Sequence, residues 1–134
     1  MKYQNFVRIA ALLGATAVAI GAFGAHGLKP RLTDYQMGIF EKGVQYQFYH
    51  ALALLALSGW WNNKTNPASL KQLRWVAFLW AGGILAFSGS LYLLATRDLL
   101  PFSVAWAGPI TPLGGLSFIA GWLVLAFGFR QSED

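Results

Sequence analysis

The chain has 134 residues, of which 56% are hydrophobic and 16% aromatic, while Asp, Glu, Lys and Arg together make up 11%. An ordinary soluble domain is about a quarter charged, so charge is too scarce here to clothe a water-facing surface of this size. The net charge of +5 comes from basic residues scattered between apolar stretches, which fits anionic lipid headgroups and not nucleic acid, and the lack of cysteine excludes disulfides, iron–sulfur clusters, cysteine-based zinc sites and a lipid-modified N-terminal cysteine.

Four stretches carry no Lys, Arg, Asp or Glu: Ile9–Leu28, Gly43–Asn63, Trp75–Thr96 and Leu99–Phe129, of 20, 21, 22 and 31 residues. A helix needs about 20 mostly apolar residues to cross the hydrocarbon core of a bilayer. The predicted fold is an all-α, antiparallel four-helix transmembrane bundle in one integral membrane domain, residues 1–134, with spans of about 9–28, 43–61, 75–95 and 112–129.

The first predicted helix, IAALLGATAVAIGAFGAHGL, is rich in alanine and glycine. Ala17, Gly21 and Ala25 recur every four residues, and Gly14 and Gly21 lie seven apart, a spacing that lets membrane helices approach closely. Lys2 and Arg8 ahead of this run, with Ala22 and Gly24 near its end, imitate a secretory leader, but the run is long enough to be a retained span. Gly24 and Gly27 loosen its last turn, and Lys29 and Pro30 end it.

Thr33 or Asp34 caps the second helix, in which Met37, Phe40, Val44, Phe48 and Ala51 recur at helical spacing. Asp34–Lys42 is expected near the interface, and Trp60 and Trp61 at the far headgroup layer. Asn62–Ser69 reads as an exposed turn. The third helix starts near Leu70 and ends near Ala95, with Gly82, Gly83, Ala86 and Ser90 as small residues along it. Pro101, Pro109 and Pro112 divide the last stretch, so Leu99–Pro109 becomes an interfacial loop or short helix and Pro112 takes the first helical position behind a Thr111 cap. The six tryptophans are expected as interfacial anchors.

Lys2, Arg8, Lys64, Lys71, Arg74 and Arg130 fall on one side of the membrane, and Lys29, Arg31, Lys42 and Arg97 on the other. Six against four places both termini in the cytoplasm of an inner or plasma membrane protein. Both histidines then lie towards the non-cytoplasmic side. Gly43, Gln47 and His50, spaced i, i+4, i+7, share one helix face. Ser88, Ser90 and Tyr92 lie in the later half of the third helix, and Thr111 and Ser117 near the start of the fourth. Polar groups inside a bilayer are costly and face a partner or a cavity. The candidate polar cluster or ligand site is therefore His26, Gln47, His50, Ser88 and Ser90, with His50 facing the interior near His26, Ser88 or Ser90.

Two histidines could ligate haem axially, but His26 sits near a helix end and His50 deeper. Zinc would want a third or fourth ligand, and Glu41 is the only acid nearby. Glu41, Gln47 and His50 could relay protons. Ser88 and Ser90 lack a paired acid and sit within a helix, not on a strand-to-helix elbow. No catalytic residue, metal site or required cofactor is assigned. Each polar residue also reads as ordinary interhelical packing glue.

Four motifs carry a resemblance: GAFGAHGL at Gly21–Leu28, YQFYH at Tyr46–His50, FSGSLY at Phe87–Tyr92 and TPLGGLSFIAGW at Thr111–Trp122. One lies on each predicted span, and together the sequence resembles the small four-span membrane proteins of unknown function typified by bacterial YgdD and YwdK. The resemblance implies four transmembrane helices in an inner or plasma membrane and places His26 and His50 inside characteristic motifs; it supplies no activity or ligand. The leading expectation is a non-enzymatic structural, assembly or accessory module, with membrane lipids and either a second copy or another membrane protein as partners and no nucleic acid. The alternative is a site for protons, a small solute, a lipid or a quinone in the non-cytoplasmic half.

Overall fold

The computed structural model describes residues 3–61 and 67–128. The expectations placed on Lys2, Asn62, Asn63, Lys64, Phe129 and Arg130 lie outside these residues. Five helical segments follow in order: α1 (Tyr3–Phe23), α2 (Asp34–Trp61), α3 (Pro67–Gly83), α4 (Gly89–Ala95) and α5 (Ile110–Phe127). A π-helical turn, Gly24–Leu28, extends α1, and a second, Ile84–Ser88, joins α3 to α4 into one continuous rod. Four rods result, and they pack as an all-α bundle with short connections.

Two helix pairs dominate the packing, α1 with α2 and α3 with α5. α2 joins them by lying against α3, the Ile84–Ser88 turn and α4. α2 and the α3–α4 rod are thus central, and α1 and α5 flank them. In the most apolar 18 residues of α1 and of α5, 17% are buried, against 39% in the central rod. Exposed Leu12, Val18, Leu85, Leu113, Leu116 and Phe127 stud the outside, a surface suited to lipid.

Three rods are long and apolar enough to cross a membrane: Gln4–Leu28, Pro67–Ala95 and Ala105–Phe127. α2 has the length, 28 residues, but falls short in apolarity, so the expectation of four spans by composition is met by three. The reason is visible in its buried seam. Gln36, Phe40, Gly43, Gln47, His50, Leu54 and Leu57 are all buried and alternate four and three residues apart, the spacing of a helix packed along its whole length. Three of these seven are polar. The stripe proposed from sequence runs beside this seam: Met37, Phe40 and Ala51 are buried, while Val44 and Phe48 are only partly so.

The seam contributes to two apolar clusters. One gathers Phe6, Ala10, Leu54, Leu57, Leu73, Val76, Ala77, Trp80, Ile84 and Phe118. The other gathers Leu28, Met37, Phe40 and Ala95. Trp80 is 1% exposed and belongs to the first, so it is a core residue and not the interfacial anchor expected; Trp75 and Trp106 are exposed.

Helix ends follow local chemistry. At α2, the Thr33 amide donates to Gln36 Oε1 at 3.0 Å and the Gln36 amide to Thr33 Oγ1 at 3.2 Å, a reciprocal capping box. Gln36 Nε2 also donates to Asp98 Oδ2 at 2.6 Å, tying this loop to the one after α4. α3 begins at Pro67, earlier than the expected start near Leu70, so Pro67–Ser69 is helix and not turn. α5 likewise begins at Ile110, two residues before Pro112. Proline fits there because amides of the first turn have no partner within the helix. Thr111 consequently does not cap: its hydroxyl turns to Ser90. Between α4 and α5 the chain forms two short 3₁₀ turns, Arg97–Leu99 and Ala105–Ala107.

Candidate functional site

Gln47 lies at the centre of the seam and is 4% exposed. Its Nε2 donates to the Leu13 carbonyl at 2.9 Å and to Thr16 Oγ1 at 2.9 Å. Its Oε1 accepts the Tyr92 hydroxyl at 2.8 Å. One amide thereby links α1, α2 and α4 and uses both of its ends, as a buried amide must to avoid an unmet polar group. The neighbouring Gly43 makes this approach possible. A Cβ there would meet the Tyr92 ring at 2.8 Å and the Ser88 carbonyl at 3.3 Å.

His50, 5% exposed, faces α5. Its Nδ1 lies 2.9 Å from the Tyr46 carbonyl, one turn back, and its Nε2 accepts the Trp122 indole N–H at 3.1 Å. An acceptor at Nε2 leaves the proton on Nδ1, where it donates to the carbonyl. The imidazole lies flat on Phe118, with ring centroids 3.6 Å apart and planes 11° apart. Trp80 approaches its edge at 5.9 Å, and Tyr46 lies 6.2 Å away on a near-parallel plane. Both nitrogens and one face of the ring are therefore engaged by protein.

The serines lie on the wide turn and just after it. The Gly89 amide reaches back five residues to the Ile84 carbonyl, the hydrogen bond that defines a π-turn. The turn is held between two glycines, Gly43 of α2 and Gly114 of α5, the latter against the backbone of Phe87. Ser90 Oγ bonds to the Phe87 carbonyl at 2.9 Å and pairs with Thr111 Oγ1 at 2.7 Å. Ser88 is fully buried, and its hydroxyl has no hydrogen-bond partner. His26 stands apart, exposed on the Gly24–Leu28 turn.

The five candidate residues thus divide into separate arrangements. Among the described residues no hydrogen bond joins any two of them. Gln47 works with Thr16, Leu13 and Tyr92; His50 with Tyr46, Trp122 and Phe118; Ser90 with Thr111. Thr16, Trp122 and Phe118 were not singled out from sequence. Trp122 is 47% exposed, and nothing in the sequence pairs its indole N–H with a histidine. Among the described residues, no three of His, Asp and Glu converge to hold a metal.

Part of this arrangement falls within the span of a known family. The family model described as "Protein of unknown function (DUF423)" matches residues 20–115. The chain belongs to this family. Similar members of the family cover nearly all of it. UPF0382 membrane protein SH2409 of Staphylococcus haemolyticus is 44% identical over 123 residues, 90% of each chain. UPF0382 membrane protein YwdK of Bacillus subtilis is 37% identical, over 90% of this chain and 91% of its own. UPF0382 inner membrane protein YgdD of Escherichia coli is 39% identical, over 96% of this chain and 91% of its own. No solved structure matches. This DUF423 chain is accordingly a membrane protein, and the matched residues include Gln47, His50, Ser88, Ser90 and Thr111 but stop short of Phe118 and Trp122.

Proposed function

We propose that this DUF423 protein is a non-enzymatic module of the cell membrane, acting through its helices in structure, assembly or support of another membrane component. The carrying observation is that the polar residues of the α2 seam are satisfied from within. Gln47 uses its amide nitrogen and its oxygen, and His50 uses both ring nitrogens. A relay or ligand site needs a group with an open valence, and these two have none to offer without breaking the bundle. The hydrogen bonds of Ser90 go to the Phe87 carbonyl and to Thr111, not to an acid or base that could activate it.

The same reading makes α2 the fourth span. From Tyr46 to Trp60 its exposed positions are Tyr46, Tyr49, Leu52, Leu55, Ala56, Gly59 and Trp60, none charged, while Gln47, His50 and Ser58 turn inward. Its low apolarity comes from the buried Gln36, Gln47 and His50 and from the exposed Asp34, Glu41, Lys42 and Gln45 of its first half. The charge count argues for cytoplasmic termini. Lipids are the immediate partners, with a second copy or another membrane protein as the assembly partner.

Flux measurements on purified protein in liposomes test the reading. The expected result is proton and small-solute flux equal to that of empty vesicles. Flux above that level, lost in a Gln47→Leu or His50→Phe variant, would replace the module by a conduit.

A further inference from the structure

Two cavities open side by side on the outside of the α1–α2 seam. The larger, ≈ 260 Å³, lies between Ala17, Gly21 and Ala22 of α1 and Val44, Phe48 and Tyr49 of α2. The smaller, ≈ 160 Å³, shares Gly21, Val44 and Gln45 with it and continues to Ala25 and Glu41. Together they form one groove. From Glu41 to Tyr49 it runs eight residues, or ~12 Å of helix, most of one leaflet of a hydrocarbon core ~30 Å thick.

Its two ends differ chemically. Along the shaft α1 presents the small residues Ala17, Gly21 and Ala22 together with Val18, and at Gly21 a Cβ would come within 3.2 Å of Val44. The mouth carries Glu41, exposed and without an ion pair among the described residues. Lys42 beside it reaches Gln45 Oε1 at 3.5 Å. An apolar shaft one leaflet deep, ending in a free carboxylate with a cation next to it, matches an acyl chain beneath a headgroup of the opposite polarity.

We propose that this groove binds one phospholipid with a primary ammonium headgroup, of the phosphatidylethanolamine class. The acyl chain lies along Ala17, Gly21 and Ala22, the ammonium meets Glu41, and the phosphate lies within reach of Lys42. The proposal rests on α2 spanning the bilayer.

Native mass spectrometry of the full chain, released from nanodiscs of equal phosphatidylethanolamine, phosphatidylglycerol and phosphatidylcholine, tests it. The expected result is a preference of about two- to fivefold for the ethanolamine lipid, the scale of one partly exposed ion pair. Glu41→Gln should erase that preference, and Ala22→Phe, which sets a ring in the shaft, should lower retention of all three lipids. Circular dichroism and unfolding midpoints at wild-type values keep these readouts separate from misfolding, and Glu41 is an exposed side chain whose replacement leaves the packing alone. Equal retention of the three lipids, or a preference that survives Glu41→Gln, overturns the proposal. Unchanged lipid retention with a shifted monomer–dimer ratio in Ala22→Phe also overturns it and gives the groove to a second copy. Because the chain has no cysteine, Leu55→Cys and an impermeant maleimide report on the span independently. A labelled Cys in intact vesicles defeats the span, and an unlabelled one with no lipid preference defeats the groove alone.

Discussion

Gln47 and His50 do for α2 what leucines do for an ordinary helix, and each carries a measurable share of stability. Interhelical hydrogen bonds in membranes contribute about 0.6 kcal/mol each, and an orphaned buried partner adds its own desolvation cost. Gln47→Leu strands the Tyr92 hydroxyl and loses both bonds to α1. It should cost about 1–2 kcal/mol, and Tyr92→Phe, which removes one bond, about half as much. Denaturing-detergent titrations of the two variants give the order, and equal midpoints would refute the three-helix link. At His50 the ring matters as much as its nitrogens. His50→Phe keeps the stack on Phe118 but takes the acceptor from Trp122, a loss of about 1 kcal/mol. His50→Ala opens a cavity as well and should cost about 2–4 kcal/mol; tryptophan emission reports the changed Trp122 environment in both. The sequence showed that Gly43, Gln47 and His50 share a face. It could not show which partners they meet, because Leu13, Thr16 and Trp122 are set by helix rotation and depth, and one partner is a backbone carbonyl that leaves no trace in residue type.

Among the elements, the second wide turn was the least legible; at the first, Gly24 and Gly27 marked a loosened last turn. Their residues, Gly24–Leu28 and Ile84–Ser88, fall inside or beside the motifs that carried the family resemblance, yet nothing in a hydrophobic period marks a single extra residue in a turn. What can be read is the set of small residues around them, and the structure ranks those glycines. A Cβ on Gly114 would run into the backbone of Phe87, which cannot turn aside, whereas on Gly82 it would meet nothing within 4 Å. Gly114→Ala should therefore cost roughly 1–3 kcal/mol by overpacking, and Gly82→Ala should be neutral or gain up to about 1 kcal/mol of helix propensity. Gly83 ranks beside Gly114, because the Phe118 ring that a Cβ there would meet is buried and held flat against His50. Thermal unfolding of the three alanine variants in one detergent checks the ranking. The boundaries of α3 and α5 were misjudged for a related reason. Pro67 read as part of a turn and Pro112 as the first helical residue, whereas Pro67 opens α3 and Pro112 lies two residues into α5, both in first turns where a missing amide proton costs nothing.

At the scale of the whole molecule, the four rods were legible from the uncharged stretches, while the order of packing was not. Composition makes α1 the helix richest in small residues, and those residues are used against α2: Ala10, Ala17 and, on the turn that follows, Gly24 are buried, and a Cβ on Gly14 would lie 3.9 Å from Ala51. Orientation is tested at this scale too. A reporter fused after Asp134 should be active in its cytoplasmic form, and high activity of a C-terminal alkaline phosphatase would invert the assignment of the basic residues. The division into two helix pairs has a bearing on how the chain is made. The first pair, α1 with α2, emerges first, and within it the Gln47 nitrogen already finds Leu13 and Thr16. The Gln47 oxygen finds its donor, Tyr92, only in the second pair. During synthesis the first hairpin is thus a half-finished product with one acceptor left waiting in the membrane. Two fragments, severed between α2 and α3 and produced together, should co-purify through the packing of α2 on the second pair, and Tyr92→Phe should lower that recovery.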